Sequence, residues 1–295
     1  MAPGPGRDAV LLWTPAKVNL FLEVHARRPD GFHEISTLMV TVNLFDTLEI
    51  RLDHSGDISL TCNRVDLSIG DDNLVVRAAK LLRAHTGCSL GAAITLTKRI
   101  PMAAGLAGGS SDGAATLSGL NRLWKLGLAN NDLIQLAAEL GSDVAFFFHA
   151  PCAWATGRGE IVTPVPTGRP LDLVLITPTE GLSTAMVYRH LKVPTAPRDG
   201  TEIRDAMTAG DVNRLGKALW NRLQESAMEL SPVVTELDHR LRNMGTAGCL
   251  MSGSGSSLFA LCRDRTEATR VMHALREEVV VDHPGLRVEH VCTCF

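Results

Sequence analysis

The sequence predicts an α+β fold in two domains, and three observations predict it. Segments with the period of a strand and segments with the period of a helix follow one another irregularly, without the strict alternation of a doubly wound sheet. The chain has 295 residues, room for about two domains. Around residues 163–170 the composition turns rich in Pro, Gly and Thr, which sets a boundary between 9–165 and 166–295.

The elements follow in order. Residues 10–24 are mostly apolar and read as a strand interrupted at Thr14-Pro15-Ala16-Lys17. Pro29 and the pair Asp30-Gly31 mark a turn. Residues 38–52 end in alternation, with Leu48, Ile50 and Leu52 against Glu49, Arg51 and Asp53, as in a half-buried strand. Residues 57–62 read as a further strand. Asp71-Asp72-Asn73 is an N-cap signal before a helix over 74–85, where Leu74, Ala78, Leu81 and Leu82 share one face. Residues 91–97 are strand-like. Ala114, Ala115, Leu117, Leu120, Leu123 and Trp124 form a helical stripe over 110–124. Residues 131–140 repeat it, with Asn131 as cap and Gly141 as terminator. Beyond the boundary, 171–176 is a strand and helical stretches follow. Residues 248–262 read as two strands joined by Ser252-Gly253-Ser254-Gly255-Ser256-Ser257.

Composition narrows the function. Apolar residues make up 45% and charged residues 21%, and the net charge is -3. Nothing here draws the chain onto nucleic acid or anionic membranes, and no apolar run approaches the roughly 18 residues of a span. Neither nucleic acid nor membrane is therefore expected as a partner, and no protein partner is implied. Residues 1–8 are short and rich in Pro and Gly and read as a disordered tail without the apolar centre of a signal peptide. The seven cysteines are scattered; Cys292 and Cys294, one residue apart with no second pair, make a poor zinc site. A reduced, cytoplasmic protein is expected.

The strongest local feature is the run Pro101, Met102, Ala103, Ala104, Gly105, Leu106, Ala107, Gly108, Gly109, Ser110, Ser111 and then Asp112. Small residues let a backbone approach an anion, and a helix begins immediately afterwards, its free N–H groups and dipole favouring a phosphate. Ser110 and Ser111 add hydroxyls, and Ser110 and Asp112 are candidate outer ligands of Mg2+. The run ends without the Gly-Lys-Ser/Thr of a Walker loop, and the dinucleotide fingerprint is missing. Glycines and serines alone also suit a tight turn into a capped helix. Lys17 sits among apolar residues, where a lysine is costly unless paired, although snorkelling to the surface is the alternative. Asp143 stands at the mouth of the apolar stretch 144–148 as a carboxylate in need of a partner or as a helix N-cap.

Together, Pro15-Ala16-Lys17-Val18-Asn19-Leu20, the glycine-serine loop and Gly253-Ser254-Gly255-Ser256-Ser257 resemble the three ordered motifs of the GHMP kinases. Arg28-Pro-Asp-Gly-Phe-His33, the run from Lys98 to Ser111 and Leu140-Gly-Ser-Asp-Val144 resemble the branch whose acceptor is a cytidine-diphosphate-linked methylerythritol of the non-mevalonate isoprenoid route. The likeness spans nearly the whole chain beyond the first eight or so residues.

The resemblance implies a two-domain α+β kinase with 9–165 binding ATP, 166–295 on the substrate side and the acceptor in the cleft between domains. It implies ATP and Mg2+ as cofactors and small molecules as partners. Asp143 matches the base that takes the acceptor's hydroxyl proton, and Lys17 the ammonium that pairs with it and keeps it ionised. Asn19, Gly253 and Ser254 match the acceptor site; Asn73, Leu74 and Lys98 match positions at the adenine. His33 matches the residue that reads the cytosine edge, with Phe32 and Tyr188 stacking on its two faces. Phe32 stands where tyrosine is common, so a face is kept and a hydroxyl lost. Ala103, Ala104 and Ala107 stand where glycines are frequent, with little effect expected if φ is negative there. A small acyclic acceptor such as mevalonate or homoserine would need no aromatic sandwich. A nucleotide-binding protein without catalysis would have no use for both Lys17 and Asp143.

Overall fold

A computed structural model of the chain describes residues 8–279 and 282–294. The tail read at 1–8 lies, save for Asp8, outside the described residues. Two long strands open the fold, β1 (Ala9–Arg27) and β2 (His33–Asp53). β1 runs on without the expected break at Thr14-Pro15-Ala16-Lys17. A strand tolerates proline where its missing N–H is not needed; two residues on, the Lys17 amide finds its acceptor in the Leu106 carbonyl, 3.0 Å away. The chain divides into two compact units. The first takes the residues through Ala16, then Leu44–Ile100 and Ala107–Phe148; the second takes Lys17–Asn43, Pro101–Leu106 and the chain from His149 onward.

The first unit adds β3 (Ile58–Cys62), α1 (Leu74–Thr86), β4 (Gly91–Thr97), α2 (Gly108–Leu123) and α3 (Asn130–Leu140). β4 runs antiparallel to the end of β2, with Ile50 opposite Ile94, and parallel to β3, with Leu60 opposite Ile94. Alternation thus sends Leu48, Ile50, Ile94 and Leu96 inward, where all four are buried. The three helices pack on one another. α2 lies close on the strands: a Cβ at Gly119 would stand 2.8 Å from Leu12 and 2.9 Å from Ile50. Asn73 caps α1, its Oδ1 accepting from the Val75 amide at 2.9 Å, and Gly87 closes the helix in the left-handed conformation. α3 corrects the sequence reading. It starts at Asn130, so Asn131 is inside it, and the cap contact is made by Asp132, whose Oδ2 accepts from the Ala129 amide at 3.0 Å.

The second unit adds β5 (Cys152–Gly157), β6 (Ile161–Pro164), β7 (Asp172–Thr177), α4 (Thr184–His190), α5 (Thr201–Ala209), α6 (Val212–Ala218), β8 (Trp220–Asn221), α7 (Gln224–Leu230), α8 (Pro232–Arg242), β9 (Gly248–Met251), β10 (Leu258–Cys262), α9 (Arg265–Val279) and β11 (Arg287–Cys292). Here β5 pairs antiparallel with the first part of β2, and β8 pairs parallel with β1 at Phe21 and Leu22. A second sheet runs in the order β11-β7-β10-β9, with every pair antiparallel. Val174, Ile176 and Ala260 of this sheet share one buried core with Leu237 and Leu241 of α8 and Val271 and Leu275 of α9. No helix among the described residues is long and apolar enough to cross a membrane.

Candidate active site

In the second unit, three segments far apart in sequence meet. The backbone of Pro101–Leu106 lies directly on the 252–257 turn. A Cβ at Gly105, where φ is +76°, would stand 2.0 Å from the Ser252 carbonyl oxygen, so only glycine fits. Ser252 Oγ donates to the Gly105 carbonyl at 2.9 Å, and the Ser257 amide to the Ala104 carbonyl at 3.2 Å. β1 supplies the third side. Lys17 Nζ donates to the Gly105 carbonyl at 3.0 Å and to Asn19 Oδ1 at 2.6 Å. Asn19 Nδ2 donates to Thr37 Oγ1 at 2.8 Å, and the Asn19 amide to Ser252 Oγ at 3.2 Å. Lys17 is 3% exposed, which rules out snorkelling.

The turn is held in its own right. Asn221 Nδ2 donates to the Met251 and Gly253 carbonyls, each at 2.8 Å. The hydroxyls of Ser254 and Thr184 lie 2.8 Å apart, and those of Ser257 and Thr177 2.9 Å apart. Thr37 and Asn221 were not singled out from sequence, being common residue types in ordinary strands; Ser252 was read as the first residue of the joining Gly-Ser run, with no role at the site.

The 28–33 turn is ordered by its own polar groups. The Arg28 amide donates to the Phe32 carbonyl at 2.8 Å, the Phe32 amide to Asp30 Oδ1 at 3.1 Å, and Gly31 takes φ +87°. Phe32 is 51% exposed, so it is no core aromatic. The Arg158 guanidinium lies 4.9 Å from its ring centroid. The His33 and Tyr188 rings lie 5.1 Å apart at 33°. Burial, with Arg27 adding to it, holds the His33 imidazole below its usual range, so it is neutral at pH 7 and offers both a donor and an acceptor. Tyr188 is half-buried and packs against the core of the unit.

In the first unit, α2 starts at Gly108 behind Ala107, and no side chain caps its first turn. Its leading N–H groups are therefore without the usual side-chain acceptor. Ala103 and Ala107 both have positive φ, 51° and 52°. The expectation of little effect rested on negative φ and is corrected at these two positions. A left-handed alanine costs about 1–2 kcal/mol. Ala107→Gly should raise stability by about 1 kcal/mol, read as a higher urea midpoint at an unchanged slope.

A buried ion cluster sits under that helix start. Lys98 Nζ donates to Asp112 Oδ2 at 2.8 Å and also to Asp46 Oδ2. Asp112 Oδ1 accepts from Thr14 Oγ1 at 2.7 Å, and Asp46 Oδ1 from the Ile100 amide at 2.8 Å. The side chains of Lys98, Asp46 and Asp112 are 4%, 0% and 2% exposed. Burial pushes the Asp112 carboxyl up to about 6 despite the Lys98 ammonium, with Asp46 adding to the rise. Both Asp112 oxygens are engaged, so this arrangement does not suit it as an Mg2+ ligand. Asp46 was missed from sequence, although a carboxylate inside a long apolar strand is itself a sign of a buried pair.

Asp143 lies in the tight turn between α3 and the 3-10 turn Ala145–Phe148. The Val144 amide donates to the Gly141 carbonyl at 3.2 Å, and Val144, Ala145 and Phe146 are fully buried. The carboxylate is thus carried on a backbone anchored on its C-terminal side.

Comparison with known proteins adds the following. The family description "GHMP kinases N terminal domain" matches residues 73–150, and "GHMP kinases C terminal" matches 199–281. A curated protein of Geobacillus sp. (strain WCH70), named 4-diphosphocytidyl-2-C-methyl-D-erythritol kinase, is 40% identical over 268 residues, covering 90% of this chain and 93% of the relative. A crystal structure of 4-(cytidine 5'-diphospho)-2C-methyl-D-erythritol kinase superposes with a TM-score of 0.80 at 34% identity, over 97% of this chain and 100% of that one. Homoserine kinase from Cytophaga hutchinsonii superposes with a TM-score of 0.78 at 19% identity, over 100% and 97%, a likeness of fold.

Proposed function

The chain belongs to the GHMP kinase family, and from that premise we propose that it uses ATP to phosphorylate the 2-hydroxyl of 4-diphosphocytidyl-2-C-methyl-D-erythritol, a step toward isoprenoid precursors. The observation that carries this reading is the meeting of Lys17, Asn19 and Pro101–Leu106 on the 252–257 turn, in a chain 40% identical to a curated kinase of this acceptor.

The roles divide as follows. The loop 101–111 and the uncapped start of α2 receive the phosphates of ATP, through backbone N–H groups and the hydroxyls of Ser110 and Ser111. The side chains of Asn73 and Lys98 are committed within the protein, so at the adenine these positions and Leu74 would offer mainly backbone and apolar surface. Asp143 takes the proton of the acceptor hydroxyl, and Lys17 supplies positive charge. Asn19, Gly253 and Ser254 position the acceptor. Mg2+, when bound, neutralises phosphate charge; the nucleotide and water hold it, as is common for this ion. Residues 9–165 form the ATP-binding part and 166–295 the substrate-side part, a division supported by the two family matches falling on either side of residue 165. A cytoplasmic location follows from the cysteine usage.

The cytidine end depends on Phe32, His33 and Tyr188. The exposure of Phe32 and the neutral ring of His33 beside Tyr188 suit a flat, uncharged base. The test is ADP release by the purified protein with MgATP and the cytidine substrate, beside mevalonate, homoserine and galactose. Turnover is expected with the cytidine substrate alone. Phe32→Ala and Tyr188→Ala should each raise KM for that substrate by about 5- to 100-fold, since stacking on a base is worth about 1–3 kcal/mol, and leave KM for ATP unchanged. Equal losses for both ligands would remove the base-pocket assignment, and turnover of a control acceptor would move the specificity elsewhere.

A further inference from the structure

His290 and Cys292 are two positions apart on β11, so their side chains stand on one face of the strand. The antiparallel register sets Cys292 opposite Asp172 of β7, which brings that carboxylate to the same face. Asp172 Oδ1 lies 2.8 Å from His290 Nε2 and 3.3 Å from Cys292 Sγ, and the sulfur lies 3.7 Å from Nε2. One thiol, one imidazole nitrogen and one carboxylate oxygen therefore converge, all within 4.8 Å of one another.

We propose that Asp172, His290 and Cys292 form a Zn2+ site, with three protein ligands and a water in the fourth position. Bond lengths of a tetrahedral zinc put sulfur, nitrogen and oxygen ligands about 3.3–3.6 Å apart, so the three atoms need shift by only about half an ångström. The donor set of one thiolate, one imidazole and one carboxylate suits zinc better than magnesium or calcium. A nucleophilic relay is the other use of these residue types. It would place the carboxylate on Nδ1 and the thiol on Nε2, whereas here both face Nε2. The side chains of His290 and Asp172 are 17% and 16% exposed, enough for an ion and its water to enter. On binding, the Cys292 thiol proton leaves to solvent and the imidazole binds through Nε2 as its Nδ1–H tautomer. Because β11 is an edge strand of its sheet, the ion would pin that edge to β7. The ligand pattern also differs from the Cys292–Cys294 pair weighed from sequence: the residue that joins Cys292 on its own strand is His290.

The test uses the full chain, stripped with a chelator and titrated with Co2+ and then Zn2+. One equivalent of Co2+ should give a thiolate-to-cobalt charge-transfer band, bleached by Zn2+. Cys292→Ser should abolish the band, and His290→Ala or Asp172→Asn should weaken Co2+ binding by at least ~10-fold. Cys294→Ser should leave it intact. Zn2+ at about 100 times its Kd should raise Tm by about 4 °C in the wild type and not in Cys292→Ser. Kinase activity, expected unchanged in all four variants, checks that each is folded. A protein that shows no band, or a band that survives Cys292→Ser or vanishes in Cys294→Ser, would overturn the assignment.

Discussion

Asp143→Asn is expected to lower kcat by about 10²–10⁴-fold while nucleotide affinity stays within about twofold. The argument starts from the shape of the replacement. Asparagine keeps the size of aspartate and can still accept a hydrogen bond through Oδ1, but it cannot take a proton from a hydroxyl. The backbone that carries the side chain is held independently of it. Asp143 is neither fully buried nor inside a regular element, and its turn is closed by the Val144 amide on the Gly141 carbonyl at 3.2 Å. Fully buried Val144, Ala145 and Phe146 hold the backbone that follows. A change in rate would therefore report on the carboxylate rather than on a displaced loop. The size of the loss carries information too. Phosphoryl transfer passes through a loose transition state, in which the acceptor's proton moves late, so the lower end of the range is the more natural outcome for a base acting alone. Single-turnover ADP formation gives the rate, and titration with a fluorescent nucleotide gives the affinity. A variant that keeps more than about a tenth of the wild-type rate would remove Asp143 from the role of base.

Much of this site was legible in the sequence because its parts are short, local and chemically unusual. A lysine in an apolar strand and two runs of glycine and serine bordering apolar segments each stand out within a few residues. Their meeting did not follow from any one of them. It rests on Ser252 reaching Gly105 and on Asn19 reaching Ser252, pairs separated by 147 and 233 positions. The fold shows the same division. Alternation gave the end of β2, and a 3.6-residue period gave α1 and α2. β8 is two residues long and exists only because Phe21 and Leu22 offer it a partner, so no periodicity could announce it. Pro15 misled for a related reason: its effect on a strand depends on whether its missing N–H is needed, a question of tertiary context. Ala103 and Ala107 hid their left-handed φ because alanine carries no signal for it, unlike glycine or asparagine.

Lys98→Met should destabilise the protein by about 3–5 kcal/mol at pH 7. Methionine matches the lysine stem in length and fills the same space, so packing is nearly conserved and the change isolates the charge. What remains is two carboxylates with side chains 0% and 2% exposed and no ammonium between them. Asp46 keeps the Ile100 amide and Asp112 keeps Thr14, but neither donor is charged. The pH dependence separates this from a simple packing defect. In the wild type, burial already pushes Asp112 up to about 6, above its unfolded value. A carboxyl raised in this way weighs on the fold when ionised at pH 7, and that weight lifts as pH falls through its folded value. Removing Lys98 takes away an influence that lowers the Asp112 value, so in the variant the carboxyl protonates at still higher pH. The destabilisation should therefore shrink between pH 7 and pH 5 by about 1 kcal/mol or more, whereas a cavity or a lost van der Waals contact would cost the same at both. Urea unfolding of both proteins at the two pH values decides it. A loss below about 1 kcal/mol, or one that does not change with pH, would mean that the Asp46–Lys98–Asp112 cluster does not carry the start of α2.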